Sequence, residues 1–171
     1  MGTKKISKYY RLILLLLLTT SCGITIKEYK LNALNGSKVK VTVTNNTHEP
    51  NITVIFTKTI EESLIKRGAD IVDNDAHYYV FVILNNLKST AYSYTVEDIA
   101  GTFVLQISGS FVIKQNEKDT PLSIDVFNIS SNYNIKNIVD SEMGRAYALK
   151  KIATEVAENI YGKLAILPQK P

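Results

Sequence analysis

Tryptophan is missing from this 171-residue chain, cysteine occurs once and histidine only twice. A single cysteine cannot close an intrachain disulfide, so the core must hold the fold. His48 and His77 fall in different segments, neither with a metal-ligating partner at helical spacing. The eight glycines include no phosphate-cradling loop. Gly101 and Gly109 stand in strand-like sequence, where glycine marks a bulge or a close approach of neighbouring groups. Glu61 and Glu62 are adjacent on a helical stretch, so their side chains diverge by about 100° and cannot converge on one substrate. Catalysis needs a positioned acid, base or nucleophile. None is legible here, and neither an enzyme, a metal nor a cofactor is expected.

What the chain does have begins at its N-terminus. Lys4, Lys5, Lys8 and Arg11 precede the apolar run Leu12–Leu18, and Thr19-Thr20-Ser21 lead to the single cysteine, Cys22. A basic segment, a short apolar segment and small residues describe a secretory signal. The run is too short to span a bilayer, which takes roughly 20 apolar residues as a helix. Small residues before a cysteine resemble the lipobox of bacterial lipoproteins, although Thr19 stands where leucine is usual and the nearest leucine is Leu18. The resemblance implies cleavage after residue 21 and lipidation of Cys22. With Gly23 in place of an inner-membrane-retaining aspartate, it implies the outer membrane, periplasmic side. An ordinary signal with Cys22 as a leftover thiol is the alternative.

Removing residues 1–21 also removes the positive charge. Those four residues are the entire excess over the 16 acidic groups, since the chain holds 20 basic residues in all. The mature chain is formally neutral, which argues against nucleic acid as a partner. Its 150 residues suffice for one domain with a real core.

Residues 22–36 read as a tether ending at the turn signal Asn35-Gly36, and 37–167 as a single domain with a frayed tail at 168–171. Val39 to Val43 alternates at period two, as a strand does. Ile52, Phe56, Ile60 and Leu64 then recur every four residues, an amphipathic helix that Gly68 is placed to end. Tyr78–Leu84 is apolar on both faces, as expected of a central strand covered on both sides. Ser89–Ala100 reads as a linker. Phe103–Ile113 and Leu122–Phe127 are further strands, joined by the polar loop Lys114–Pro121. A closing helix, capped by Asp140 or Ser141, carries the stripe Leu149, Ile152, Val156, Ile160 and Leu164. The expected fold is α+β: a two-layer sandwich, a four-stranded sheet with two helices on one face, in the order β-α-β-β-β-α.

These segments, in this order after a lipobox, resemble the LptE family. The residues that carry the likeness are Cys22-Gly23, Lys38-Val39-Lys40-Val41, the helix and turn Phe56–Val72, the strand Pro121–Phe127, and the closing helix from Glu142 through Ala157–Leu164. The resemblance implies an outer-membrane lipoprotein that plugs an LptD-like β-barrel and supports delivery of lipopolysaccharide to the cell surface. It implies three partners: the barrel, lipopolysaccharide, and the membrane through the lipid. In the family, basic residues at loop ends are linked to lipopolysaccharide. Here Ser89–Ile113 holds no Lys or Arg, so that role transfers to no matching position. Lys88, Lys114, Lys118 and Lys136 are candidates by placement, with solvated loop charge as the alternative. Tyr92 and Tyr94 are candidate aromatic contacts, tyrosine being enriched at interfaces. A function of another class is an auxiliary lipoprotein of a lipid-exporting ABC system, or a secretin pilotin.

Cys22→Ser is expected to abolish lipid attachment and leave unprocessed precursor. Fatty-acid labelling checks it, and label on the serine variant refutes the lipobox reading.

Overall fold

The computed structural model describes residues 33–94, 100–116, 120–134 and 138–167. Its elements in chain order are β1 (Lys38–Asn45), α1 (Ile52–Ile65), β2 (Asp70–Ile71), β3 (Tyr78–Tyr94), β4 (Ala100–Lys114), β5 (Ser123–Asn134) and α2 (Ile138–Leu164). The strands form one sheet in the order β2-β1-β3-β4-β5. β1 lies parallel to β2 and β3, while β3–β4 and β4–β5 are antiparallel. The α+β architecture agrees with the sequence reading, but the sheet has five strands instead of four. The extra strand is two residues long, and so short a segment carries no period to read.

Two boundaries also differ from expectation. β3 does not stop at Leu84 but runs to Tyr94, so most of the expected Ser89–Ala100 linker is strand paired to β4. Helix α2 already begins at Ile138, which places Asp140 and Ser141 inside the helix instead of at its cap.

Both helices bury one stripe. In α1 the buried positions are Ile52, Phe56, Thr59, Ile60 and Leu64. In α2 the expected stripe from Leu149 to Leu164 is buried throughout and widened by Ala148, Ala153 and Ala157. The alanines let helix and sheet backbones approach closely. α1 packs on β1 and β2, α2 on β4 and β5, and the helices pack on each other. The core face of the sheet supplies Val39, Val80, Val82, Leu84, Leu105, Ile107, Phe111 and Ile113, all essentially inaccessible.

Gly68 ends α1 as anticipated. Its φ is +89°, a conformation costly for residues with a Cβ, and the Ala69 N–H donates to the Leu64 carbonyl across the turn. Arg67 beside it stacks 3.9 Å from the Tyr161 ring centroid and pairs with Glu158, tying α1 to α2. Gly109 answers a different need. A Cβ there would overlap the Ile83 carbonyl oxygen and lie 2.6 Å from Phe127 Cζ. The Phe127 ring covers this glycine across the β4–β5 ladder, opposite the point where Asn85 bulges out of β3.

Leu64→Ala and Ile152→Ala are each expected to cost about 2–5 kcal/mol, since both side chains are fully buried. Lys58→Ala, at an exposed site, should stay within about 0.5 kcal/mol. Gly109→Ala should destabilise although it adds a single methyl group, because a backbone oxygen cannot move aside. Denaturant midpoints of the four variants check the ordering. A Lys58→Ala loss equal to that of Leu64→Ala would refute the assigned helix face.

Candidate functional site

Both helices lie on one side of the sheet, and the other side is left uncovered by the described residues. Side chains alternate across a strand, so ladder register places residues on this open face. At the end nearest the start of β1, the rows are Lys40–Tyr79–Lys114, then Thr42–Phe81–Val112–Ile124, then Thr44–Ile83–Ser110–Val126. Ile124 is 64% and Val126 77% exposed, while Tyr79, Phe81 and Ile83 are half-buried. The Lys40 ammonium stands 5.9 Å from the Tyr79 ring centroid and that of Lys114 5.8 Å from Phe81. Their stems lie along the apolar rows with the charges at the rim. The expectation that Tyr78–Leu84 is covered on both sides is therefore corrected: one face is buried by helices, and the other is an apolar patch.

Further along, the open face turns polar. Asn86–Ser108–Asn128, Lys88–Gln106–Ser130 and Thr90–Val104–Asn132 follow in register. Thr102 donates to Asn134 at 2.9 Å on the same side. On the core side at this end, Phe103 and Tyr133 stack at 5.6 Å and the Tyr133 and Ser89 hydroxyls are 3.2 Å apart. These contacts hold the far part of the three-stranded β3-β4-β5 ribbon in shape.

This geometry separates residues that the sequence grouped. Lys88 lies opposite Gln106, eight residues along β4 from Lys114. At roughly 3.4 Å per residue they stand on the order of 27 Å apart and share no site. Tyr92 is the extra residue where the β3–β4 register slips between Ala91 and Ser93, and its side chain is 74% exposed. Tyr94 pairs with Ala100 at the strand end. Lys88, Tyr92 and Tyr94 thus belong to the distal ribbon, and Lys114 to the apolar end. Cys22, Lys118 and Lys136 lie outside the described residues. The apolar residues of the open face were missed because Tyr79, Phe81 and Ile83 alternate with core residues. Only the register, invisible in sequence, tells the two sets apart.

A polar cleft of about 440 Å³ opens beside the ribbon, lined by Asn46, His48, Glu49, Asn85, Asn86 and Arg145 among others. Asn45 orders its rim: its side-chain oxygen accepts from the Thr47 N–H at 2.8 Å and hydroxyl at 2.7 Å, and its amide donates to the Glu49 carbonyl at 2.8 Å. Glu49 pairs with Arg145 of α2. His77 serves the backbone, its Nδ1 accepting from the Lys38 N–H at 3.2 Å. Among the described residues no group of acidic, histidine and cysteine side chains could hold a metal.

No protein-family model and no curated protein matches the chain. Solved structures do match in fold. Lipoprotein B of Nitrosomonas europaea aligns with a TM-score of 0.55 at 10% identity, covering 84% of this chain and 94% of that one. The minor lipoprotein of Acinetobacter baumannii aligns at 0.51 and 10%, covering 79% and 96%. Rare lipoprotein B of Shewanella oneidensis aligns at 0.50 and 15%, covering 74% and 93%. At these identities the likeness is one of fold.

Where β5 meets α2, Lys163 lies 2.9 Å from Asp125. Its hydrogen bond, with its charge and the Val126 N–H, holds the Asp125 carboxyl below the ordinary 3.8. A lowered carboxyl pKa contributes stability above its unfolded value and loses it as pH falls through the folded one. Glu61 runs the other way, raised first by burial and then by the charge of Asp73. Lys163→Gln is therefore expected to flatten the loss of stability below about pH 4 while leaving Glu61 untouched. Thermal midpoints of both proteins from pH 6 to pH 3 check this, and parallel curves would refute it.

Proposed function

We propose that this chain is a lipid-anchored outer-membrane lipoprotein, facing the periplasm, that plugs a large β-barrel translocon delivering lipopolysaccharide to the cell surface. The observation that carries the reading is the conjunction of a lipobox-like signal with one small α+β domain whose sheet has one face left uncovered by the described residues. The fold it shares with several bacterial lipoproteins supports the anchored form. A barrel of about 16 strands or more encloses a lumen wide enough to hold a plug, and some large barrels are plugged. A sheet face rich in amides and hydroxyls suits the polar wall of such a lumen, because each strand row can exchange hydrogen bonds with lumen side chains. An acylated N-terminus raises the plug's effective concentration at the barrel.

In this reading the distal ribbon enters deepest. Lys88 and Tyr92 are its exposed cation and exposed aromatic. Lys88, with Lys118 and Lys136, is proposed for lipopolysaccharide phosphate. Tyr92 and Tyr94 are proposed for the barrel wall.

The test is co-purification of the lipidated full chain from its own envelope. A detergent-stable one-to-one complex with a large β-barrel is expected, surviving about 0.5 M salt, because a neutral domain binds by shape and hydrogen bonds more than by long-range attraction. Replacing residues 92–100 or 115–121 by a short Gly/Ser linker should leave a folded, lipidated protein and a leaky outer membrane. Recovery of an inner-membrane ABC partner overturns the plug reading, and full barrel binding by the linker variants overturns the assignment of these loops.

A further inference from the structure

We propose that β5 is a docking edge that receives an extended strand from a second polypeptide, whose open-face side chains are apolar alongside Ile124 and Val126 and carry amides or hydroxyls alongside Asn128 to Asn134. β5 is the last strand in the sheet order and pairs only with β4. Its outward backbone groups have no backbone partner among the described residues. A long strand edge of this kind is a template for pairing, and proteins usually blunt it with lysine, proline, a bulge or a covering element. Over its twelve residues β5 has none of the first three. Its one charge, Asp125, is held by Lys163 of α2. Helix α2 packs on the core face of the strand, where Phe127, Ile129, Ser131 and Tyr133 are buried.

The side chains beside this edge say what fits it. On the open face β5 reads Ile124, Val126, Asn128, Ser130, Asn132, Asn134, all exposed, two apolar residues followed by four polar ones. Strand addition takes affinity from the backbone and selectivity from alternate side chains. The incoming strand therefore needs its apolar residues at the Ile124 end, where they also join the patch of Phe81 and Val112.

A second copy of this chain meets that pattern poorly. Antiparallel pairing over the full strand, with both sets of helices on one side, sets Ile124 against Asn134 and Val126 against Asn132. Sliding the strands until Ile124 faces Val126 sets Asp125 against Asp125, and like charges directly opposite are unfavourable. The occupant favoured is a different chain. The inference does not depend on which protein donates the strand or on the barrel reading.

The experiment uses the lipidated full chain in detergent and a blocked peptide of about a dozen residues, the length of the edge. Valines lie alongside Ile124 and Val126, with threonine and asparagine beyond. Amide hydrogen exchange over residues 123–134 should slow on peptide addition. Val126→Lys should weaken that effect at least tenfold with an unchanged thermal midpoint, since the side chain is 77% exposed. Thr90→Lys, on the open face of β3 with β4 between it and β5, should leave it unchanged. A peptide with the pattern reversed should bind several-fold more weakly. The proposal is overturned if residues 123–134 gain no protection at millimolar peptide, or if Thr90→Lys weakens binding as much as Val126→Lys. Equal binding of the reversed peptide also overturns it. So does concentration-dependent protection of β5 without peptide, with a dimer in sedimentation, which would give the edge to a second copy.

Discussion

Burial of one sheet face, and only one, is the constraint on which this structure depends. The described residues form two helices and five strands, and both helices lie on the same side of the sheet. α1 covers β1 and β2, α2 covers β4 and β5, and the central strand β3 lies under the seam between them. That seam is why the core residues of β3, Val80, Val82 and Leu84, are wholly inaccessible. Burial at roughly 25 cal/mol per Å² of apolar area is the main stabilising term available to a domain without an intrachain disulfide. The ion pairs that link the elements, Glu49–Arg145, Arg67–Glu158 and Asp125–Lys163, are partly exposed and contribute little by themselves. Their use is in register. Each joins α2 to a different segment, the loop before α1, the turn after it and β5, so together they fix where along its length the long helix sits.

The parts of the fold legible in the sequence are those where one period runs for many residues. The α1 stripe Ile52–Leu64 and the α2 stripe Leu149–Leu164 are buried as read, and Gly68 ends α1 in the left-handed conformation expected of a terminal glycine. Legibility fails where no single period dominates. β2 is too short to have one. The second half of β3, Asn85 to Tyr94, is polar or small at most positions and bulged at Asn85 and Tyr92, so neither face shows a continuous apolar row. It is a strand because β4 pairs with it, a tertiary cause that local pattern does not record.

The candidate surface shows the same limit from the other side. Tyr79, Phe81 and Ile83 look like core, since they alternate with core residues in an unbroken apolar run. Their exposure follows from the helix count: a third helix would be needed to cover them, and the chain has none to give among the described residues. Lys88 and Lys114 look like one basic group because no other Lys or Arg separates them in sequence. The β3–β4 pairing sets Lys88 opposite Gln106, eight residues along β4 from Lys114.

The open face and the open edge of β5 meet at Ile124 and Val126, and this shared corner bears on how a partner is recognised. Apolar side chains there favour association with little geometric selectivity, since the hydrophobic effect is non-directional. The long polar remainder of the face favours association only where hydrogen bonds are matched, because a buried amide or hydroxyl left unpaired costs about 1–3 kcal/mol. A partner touching the corner alone would gain little. One that also runs along β5, or lies on the rows from Asn86 to Asn134, satisfies backbone and side-chain groups together. Arranged this way, the apolar corner supplies attraction and the polar ribbon supplies rejection of wrong partners, so that selectivity comes from a penalty for mismatch more than from added contact.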